Sequence, residues 1–271
     1  MKPGQRQHEI VARLRAVKRD LPVDELARIF GTSPLTIRRD LDVLEEEGAI
    51  LRTLGGCVIR TGFESVFQQR VAHNFHLKQA IGRAAVQKVN VGEVLLIDDG
   101  STTFHLAANL GERAPLSVYT NSIAILPELI RFPNIRLHIL GGEYDPDTNF
   151  LGGSVTERTL EMLDFDAVFV GCDAIDETGR CLVVNPTVAR LAQVMIKRGR
   201  RKYLLADHTK MGAQSYALSA TLSDFTAWIT TPGIRPSLLR FFRRLTSVEE
   251  ASVPAAPSET KAKDVGKPVA V

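Results

Sequence analysis

The segment that most constrains the fold of this chain is residues 33–41, Ser-Pro-Leu-Thr-Ile-Arg-Arg-Asp-Leu. Ser33 stands where it can cap a helix, because its side-chain oxygen can accept a hydrogen bond from a free amide of the first turn. Ile37, Leu41 and Leu44 follow at spacings of i, i+4 and i+7, which places them on one face of that helix. The pattern predicts a helix that is buried along a single stripe.

The residues off this stripe are polar, and Thr36, Arg38, Arg39 and Asp40 are predicted to face outward. Two adjacent arginines near the amino-terminal end of a helix that is apolar on one side are suited to reading the major groove of DNA. We therefore expect the segment to be the second helix of a helix-turn-helix, with Arg38 and Arg39 divided between base edges and phosphates.

The neighbouring sequence completes such a motif. Residues 6–19 carry apolar side chains at helical spacing, Pro22 can open a second helix, and Gly31 can end it before a tight turn. After the third helix, residues 50–60 become strand-like around a glycine pair, which predicts a hairpin wing. The predicted DNA-binding residues of this domain, residues 1–60, are Ser33, Thr36, Arg38, Arg39, Arg52, Thr53, Gly55 and Gly56.

Length and composition set wider limits. A chain of 271 residues is long enough for two domains, and 44% hydrophobic with 24% charged residues is ordinary for a globular protein. A net charge of +3 neither supports nor excludes nucleic-acid binding, which needs only a local basic cluster. The three scattered cysteines form no CxxC pair and argue against a disulfide framework and a zinc site. No apolar run is long enough to span a membrane, and we expect a cytoplasmic protein.

Beyond a linker at residues 61–77, the pattern changes to strands that alternate with helices. This alternation predicts a mostly parallel sheet covered on both faces, hence an α/β domain over residues 78–246. The predicted strands are residues 94–97, 116–119, 137–140, 167–170, 203–206 and 225–229. From residue 247 the chain is rich in Ala, Pro, Ser and Lys, and we expect a disordered tail over residues 247–271.

Small, hydroxylic or charged residues follow five of these strands. In an open parallel sheet, ligands bind beyond the carboxyl ends of the strands. A single turn of this composition is explained by the usual preference of loops for Gly, Ser, Asn and Asp, whereas five such turns at one edge favour a binding site. A Gly-Ser-Thr-Thr turn before a helix suits a phosphate, and aspartates suit sugar hydroxyls. The predicted effector-binding residues are Asp99, Gly100, Ser101, Thr102, Thr103, Thr120, Asn121, Ser122, Gly141, Gly142, Gly171, Asp207 and Lys210.

Over nearly its whole length the sequence resembles the DeoR family of bacterial transcriptional regulators. The resemblance rests on residues 33–41, on Arg-Thr-Leu-Gly-Gly at 52–56 and on Phe-Gln-Gln-Arg at 67–70. It continues through Lys78, the effector-edge turns and Asp-His-Thr-Lys at 207–210. It implies a winged helix-turn-helix followed by a sensor domain similar to ribose-5-phosphate isomerase. It also implies a dimer or tetramer that binds double-stranded operator DNA and a phosphorylated sugar or related metabolite, most often as a repressor of sugar-catabolism genes.

The sequence departs from the family pattern in two places. Leu54 occupies the wing position where the family usually has histidine. The Glu-Ala-x-x-Lys run that the family often carries after the fourth strand is replaced by Val-Ala-Arg-Leu-Ala at residues 188–192, where Arg190 can supply a charge. The first departure bears on a polar contact of the wing with the DNA backbone, which a packing role of Leu54 can replace, and the second leaves the identity of the effector open.

The sequence thus predicts a metabolite-responsive repressor without a catalytic site, cofactor or metal. One alternative is a sugar-phosphate isomerase with a DNA-binding appendage, for which Asp99, Asp207 and Lys210 are candidate acid–base and charge-stabilising groups. Another is a metabolite-binding protein whose helix-turn-helix contacts only protein; the outward arginine pair counts against it.

Overall fold

The computed structural model describes residues 3–17, 20–46, 49–53, 55–59, 66–146 and 148–253. Within it the chain forms two compact units. The first comprises residues 1–72 with 146–148, and the second comprises residues 73–145 with 149–271. No helix in the described ranges is both long and apolar enough to cross a membrane.

The amino-terminal unit is built from short helices and a small antiparallel sheet. Its elements are α1 (Pro3–Val17), β1 (Leu21–Pro22), α2 (Val23–Phe30), α3 (Pro34–Glu46), β2 (Ile50–Arg52), β3 (Gly56–Ile59) and α4 (Val66–Ala72). Strands β2 and β3 form the predicted hairpin, and β1 pairs with the other side of β3. The architecture is a winged helix-turn-helix.

The local signals of this unit act as the sequence predicts. Gly31 follows α2 in the left-handed conformation with φ of 58°, a geometry that costs glycine little. Ile37 and Leu41 of α3 are fully buried, together with Ile10 of α1 and Leu26 of α2. Strand β1 is absent from the prediction, because two residues are too short to show an alternating pattern.

The second unit opens with α5 (Phe75–Val86) and is organised around a seven-stranded parallel sheet. Its strands are β4 (Val94–Ile97), β5 (Leu116–Thr120), β6 (Ile135–Ile139), β9 (Phe165–Val170), β12 (Gly199–Leu205), β14 (Ala227–Thr230) and β15 (Ser247–Glu250). Their spatial order is β15-β14-β12-β9-β4-β5-β6. From β4 the chain first builds the sheet toward β6 and then toward β15, so its direction reverses between β4 and β9.

Helices cover both faces of this sheet. They are α6 (Ser101–Ala107), α7 (Leu126–Ile130), α8 (Ser154–Glu161), α9 (Pro186–Lys197) and α10 (Pro236–Phe242), with 3-10 turns at Leu110–Arg113, His208–Lys210 and Leu222–Asp224. Side chains of β4 alternate between the two cores: Leu95 and Ile97 pack on the face of α5 and α6, and Leu96 packs on the face of α9. The two-sided burial explains the apolar strands of the sequence.

Two smaller sheets complete the unit and were not predicted. Strands β7 (Glu143–Asp145) and β8 (Phe150–Gly152) form a hairpin, and β10 (Ala174–Ile175), β11 (Arg180–Val183) and β13 (Ala217–Thr221) form a three-stranded sheet.

The predicted start of the disordered tail is wrong. Residues 247–250 form β15, which pairs in parallel with β14 at the edge of the large sheet. Lys88 additionally forms an ion pair with Glu249, with 2.6 Å between Nζ and Oε2. The polar composition of this stretch suits an edge strand, whose outer side needs no apolar partner. The rest of the predicted tail, residues 254–271, lies outside the described part of the chain.

Candidate functional sites

The amino-terminal end of α3 is closed by its own hydroxyl groups. The Thr36 amide donates to Ser33 Oγ over 3.2 Å, and the two hydroxyl oxygens lie 2.9 Å apart. Ser33 therefore caps α3 as predicted, and Thr36 holds the cap in place. Any contact of these hydroxyls with DNA would be made from an already ordered turn.

The outward face of α3 carries Leu35, Arg38, Arg39 and Asp42, at spacings of i, i+3, i+4 and i+7. All four are exposed. No ion pair or side-chain hydrogen bond engages the guanidinium of Arg38 or Arg39 within the described ranges. Both arginines are thus available to an anionic partner. Leu35 was not predicted as a site residue, because only polar side chains and glycines were expected to contact DNA.

Arg52 of the wing is tied to this face. Its Nη1 lies 3.2 Å from Asp42 Oδ1 and donates to the Arg38 carbonyl over 3.4 Å. The bond braces β2 against the carboxyl-terminal half of α3. The guanidinium is partly engaged before any DNA contact is made.

The prediction that Asp40 faces outward is wrong. Asp40 is 3% exposed and pairs with Arg6 of α1, with 2.6 Å between Nε and Oδ2 and 3.2 Å between Nη2 and Oδ1. Gln7 donates to the same carboxylate over 3.3 Å. The hydrogen bond to Asp40 raises the pKa of the Arg6 guanidinium. Helical position alone could not reveal a partner 34 residues away.

The predicted wing residues act mainly within the fold. Thr53 closes the hairpin: its Oγ1 accepts the Gly56 amide over 3.0 Å and donates to Asp20 over 3.1 Å. A Cβ on Gly56 would lie 2.2 Å from the Leu21 carbonyl oxygen, so β1 can approach β3 only because this residue is glycine. Gly55 is exposed with open space around it. Leu54, the departure from the family pattern, lies outside the described residues.

The second candidate site lies at the carboxyl edge of the large sheet. The turns after β4 and β9 meet there: Gly100 and Gly171 are neighbours, and a Cβ on Gly100 would lie 3.7 Å from the Gly171 Cα, an ordinary van der Waals distance. The Gly171 amide donates to Asp98 Oδ2 over 3.4 Å. These are the two strands between which the chain reverses direction, and such a switch point is where open α/β sheets bind ligands.

Several predicted effector residues serve the fold. Thr103 Oγ1 donates to the carbonyls of Asp98 and Gly100, and Thr120 Oγ1 donates to the Ile97 carbonyl over 2.8 Å. Gly142 permits close packing, since a Cβ there would lie 2.1 Å from Thr156 Oγ1. The hydroxyls of Thr103 and Thr120 therefore shape the turns and are already occupied.

Other polar groups at this edge are buried and have no hydrogen-bond partner in the described chain. They are both polar atoms of the Asn121 amide, Ser122 Oγ, Asp207 Oδ2 and Thr230 Oγ1, and all four residues are 0% exposed. Buried polar groups without partners cost about 1–3 kcal/mol each, so proteins seldom keep them without a use. Thr230, at the end of β14, was not predicted as a site residue, because a threonine in an apolar strand is also typical of a purely structural position.

The turn after β12 holds Asp207 in a fixed orientation. Its Oδ1 accepts the Thr209 amide over 3.0 Å and the Thr209 hydroxyl, which leaves Oδ2 as the unpartnered oxygen. Thr209 Oγ1 in turn accepts from Asn74 Nδ2 over 3.0 Å. Lys210 follows on the same turn and is half-buried. Asp99, Ser101 and Thr102 are buried at the same edge, whereas Gly141 is exposed.

The amino-terminal edge of the sheet is different in character. A cavity of about 500 Å³ lies there, lined by residues 92, 115–117 and 133–136. Its lining includes two prolines, Pro115 and Pro133, and none of its polar side chains is buried. Among the described residues, no group of three His, Cys, Asp or Glu is arranged to hold a metal ion. We therefore take the carboxyl edge as the candidate small-molecule site.

A winged helix-turn-helix joined to a parallel α/β unit with a polar carboxyl edge defines a class: one-component regulators that join a DNA-reading domain to a small-molecule sensor. Two family patterns place the chain within it. The DeoR-like helix-turn-helix domain matches residues 6–62, and the DeoR C terminal sensor domain matches residues 73–231. The chain belongs to the DeoR family of transcriptional regulators.

The relatives carry regulatory names. The chain is 32% identical to the HTH-type transcriptional regulator GlpR of Haloferax volcanii, over 85% of this chain and 90% of that protein. It is 30% identical to the transcriptional repressor AccR of Agrobacterium fabrum, again over 85% and 90%. The two family matches and the names of these relatives agree, and the chain is a DNA-binding transcriptional regulator.

A solved structure of ribose 5 phosphate isomerase A from Neisseria gonorrhoeae also matches, with a TM-score of 0.37 and 16% identity. The match covers 51% of this chain and 53% of the isomerase chain.

Proposed function

We propose that this regulator is a homo-oligomeric, cytoplasmic repressor of sugar catabolism genes that a phosphorylated sugar releases from its operator. The observation that carries the proposal is the cluster of buried, unpartnered polar atoms on Asn121, Ser122, Asp207 and Thr230 at the carboxyl edge of the sheet. Hydroxyl groups of a sugar can donate to and accept from these atoms, which a purely structural edge would not need.

The phosphate end of the effector is assigned to the turn after β4. Ser101 and Thr102 contribute hydroxyls there, and Gly100 and Gly171 allow a ligand to approach the backbone closely. Lys210 supplies a positive charge at the same edge. Asp99 and Asp207 are assigned to sugar hydroxyls. The phosphate and the sugar hydroxyls are assigned to different residues because of charge: a carboxylate repels a phosphate but accepts hydrogen bonds from hydroxyl groups.

Operator DNA is assigned to the outward face of α3. Arg38 and Arg39 are exposed and unengaged, whereas Arg52 and Thr53 brace the wing. A symmetric oligomer would present two such faces to repeated half-sites.

The DNA assignment is tested by Arg39→Ala, with Arg240→Ala on α10 as a charge-matched control in the other unit. Operator sites are first selected from random duplexes, and affinities are then compared at fixed salt. We expect Arg39→Ala to weaken specific binding by about 1–3 kcal/mol and Arg240→Ala to leave it unchanged. Equal affinities for wild type and Arg39→Ala would refute the assignment.

Release by the effector requires that the metabolite bind the form with low DNA affinity more tightly than the form with high affinity. Ribose, glucose and fructose are titrated beside their phosphorylated forms and inorganic phosphate. We expect at least one sugar phosphate to release DNA where its free sugar does not. A free sugar that acts as strongly as its phosphate would refute the phosphate assignment.

A further inference from the structure

Leu35, at the start of α3, is the more exposed of the two large aliphatic side chains that this helix keeps outside the core, the other being Val43. Leu35 is 57% exposed, whereas Ile37 and Leu41 are 0% exposed and Leu44 is 3% exposed. It lies about 200° around the helix from Ile37, so the core cannot account for it. Single exposed apolar side chains are common on protein surfaces, so exposure by itself does not identify a partner for Leu35.

The surroundings of Leu35 indicate what that partner is. Arg38 and Arg39 lie one turn further along the same face and are unengaged by the described chain. At the far end of the face, Asp42 is held by Arg52, and Glu45 is exposed beyond it. The face is thus apolar at its amino-terminal end, cationic in the middle and acidic at its carboxyl-terminal end.

This charge order permits only one end of the face to enter DNA deeply. Phosphates are drawn to the arginines and repelled by the acidic end, so the amino-terminal turn is the part that can reach base edges. The ordered cap formed by Ser33 and Thr36 holds that turn rigid. Leu35 is then directed at the floor of the major groove, where the only apolar group that bases offer is the C5-methyl of thymine.

We propose that Leu35 is a specificity-determining residue that reads a thymine methyl group in each operator half-site. The proposal rests on the DNA-reading function assigned to α3 and adds a base and a chemical group to it. The arginines supply most of the affinity, and Leu35 discriminates among bases at one position.

The experiment uses the full chain and removes only the methyl group. Operator sites are selected from random duplexes, and each thymine of the selected half-site is replaced in turn by deoxyuridine, which pairs identically but lacks the C5-methyl. We expect about a three- to fivefold loss of affinity at one position, the amount associated with one buried methyl. Leu35→Ala should remove this discrimination, so that thymine and deoxyuridine bind it equally.

Val43→Ala is the matched control, because Val43 is also an exposed aliphatic residue of α3, 38% exposed, but lies beside the acidic end. It should keep the full thymine preference. Both substitutions are at exposed positions, so neither should impair folding. The inference is overturned if no deoxyuridine substitution weakens binding, if the selected half-site lacks thymine, or if Leu35→Ala keeps the preference. Failure to enrich any duplex would instead refute DNA reading itself, and this distinguishes the two failures.

Discussion

Arg6 and Asp40 form a buried ion pair that joins the first helix of the chain to the helix assigned to DNA, with 2.6 Å between Nε and Oδ2. Two hydrogen bonds from the guanidinium and one from Gln7 satisfy the carboxylate. The pair acts together with the buried side chains of Ile37 and Leu41 to fix the rotation of α3 about its axis. Because these residues and Asp40 are held inside, Arg38 and Arg39 face outward.

Asp40→Ala should destabilise the amino-terminal unit by about 3–5 kcal/mol, because it leaves a buried guanidinium without its partner. Asp42→Ala removes an exposed carboxylate two residues away and should cost at most about 1 kcal/mol. Urea unfolding can be followed for each unit separately, because the single tryptophan, Trp228, lies in the second unit and its fluorescence reports on that unit. Asp40→Ala should shift the far-ultraviolet circular dichroism transition and leave the fluorescence transition in place. Equal effects of the two substitutions would contradict the role of the pair.

Gly56→Ala should disrupt the wing, whereas Gly55→Ala should be tolerated. A Cβ on Gly56 would meet the Leu21 carbonyl oxygen at 2.2 Å, while one on Gly55 would meet nothing within 4 Å. We expect Gly56→Ala to lower the free energy of unfolding by roughly 1–3 kcal/mol. Amide hydrogen exchange of the β1–β3 pair is the direct measurement, and unchanged protection in Gly56→Ala would exclude a steric requirement.

Asn121→Leu should abolish the response to sugar phosphate without destabilising the ligand-free protein. The two polar atoms of the amide are buried and unpartnered, so replacing them with an apolar group of similar size should leave the free energy of unfolding unchanged or raise it by up to about 2 kcal/mol. Thr103→Val should instead lower the free energy of unfolding, because the Thr103 hydroxyl hydrogen-bonds to the carbonyls of Asp98 and Gly100. Thermal unfolding with and without each sugar phosphate tests both. A destabilised Asn121→Leu that still responds would contradict the site.

The position of Asn74, just before α5, should depend on the turn that contains Asp207, because the side-chain amide of Asn74 donates to Thr209 Oγ1. Thr209→Val should increase hydrogen exchange at the start of α5 around residue 75. Thr178→Val is matched, because Thr178 bonds Asp176 in the same arrangement, with 2.9 Å from its amide and 2.7 Å from its hydroxyl, but does so at another turn. Increased exchange in both variants, or in neither, would show that the contact does not hold α5.

Alkaline pH should weaken the amino-terminal unit through Cys57. Burial raises the pKa of this thiol from 9.0 to about 11, with a smaller contribution from the charge of Asp20. The unfolded chain loses the proton first, so the stabilisation is complete below pH 9 and is lost as the pH rises through about 11. The loss of stability should approach roughly 3 kcal/mol, since each pKa unit corresponds to about 1.4 kcal/mol. Cys57→Ala should flatten the pH dependence of the urea midpoint over this range, and an identical slope in both proteins would exclude the thiol as its cause.

Much of the architecture follows from local signals in the sequence. The cap at Ser33, the end of α2 at Gly31 and the stripe of Ile37 and Leu41 are each decided by residues within a turn or two of one another. The alternation of apolar strands with helices is also a short-range pattern, and it predicts the parallel sheet and the edge at which small polar residues gather.

Local patterns therefore suffice to predict the two-part architecture, helix α3 and the polar carboxyl edge of the sheet. Which residues are free to bind a partner depends on contacts that form only when the chain folds. Asp40 is buried by a partner 34 residues away, Gly56 is required by the approach of Leu21, and Thr103 is occupied while Asn121 is not. Each outcome depends on contacts between distant parts of the chain, and helical or strand periodicity reports only which way a side chain points.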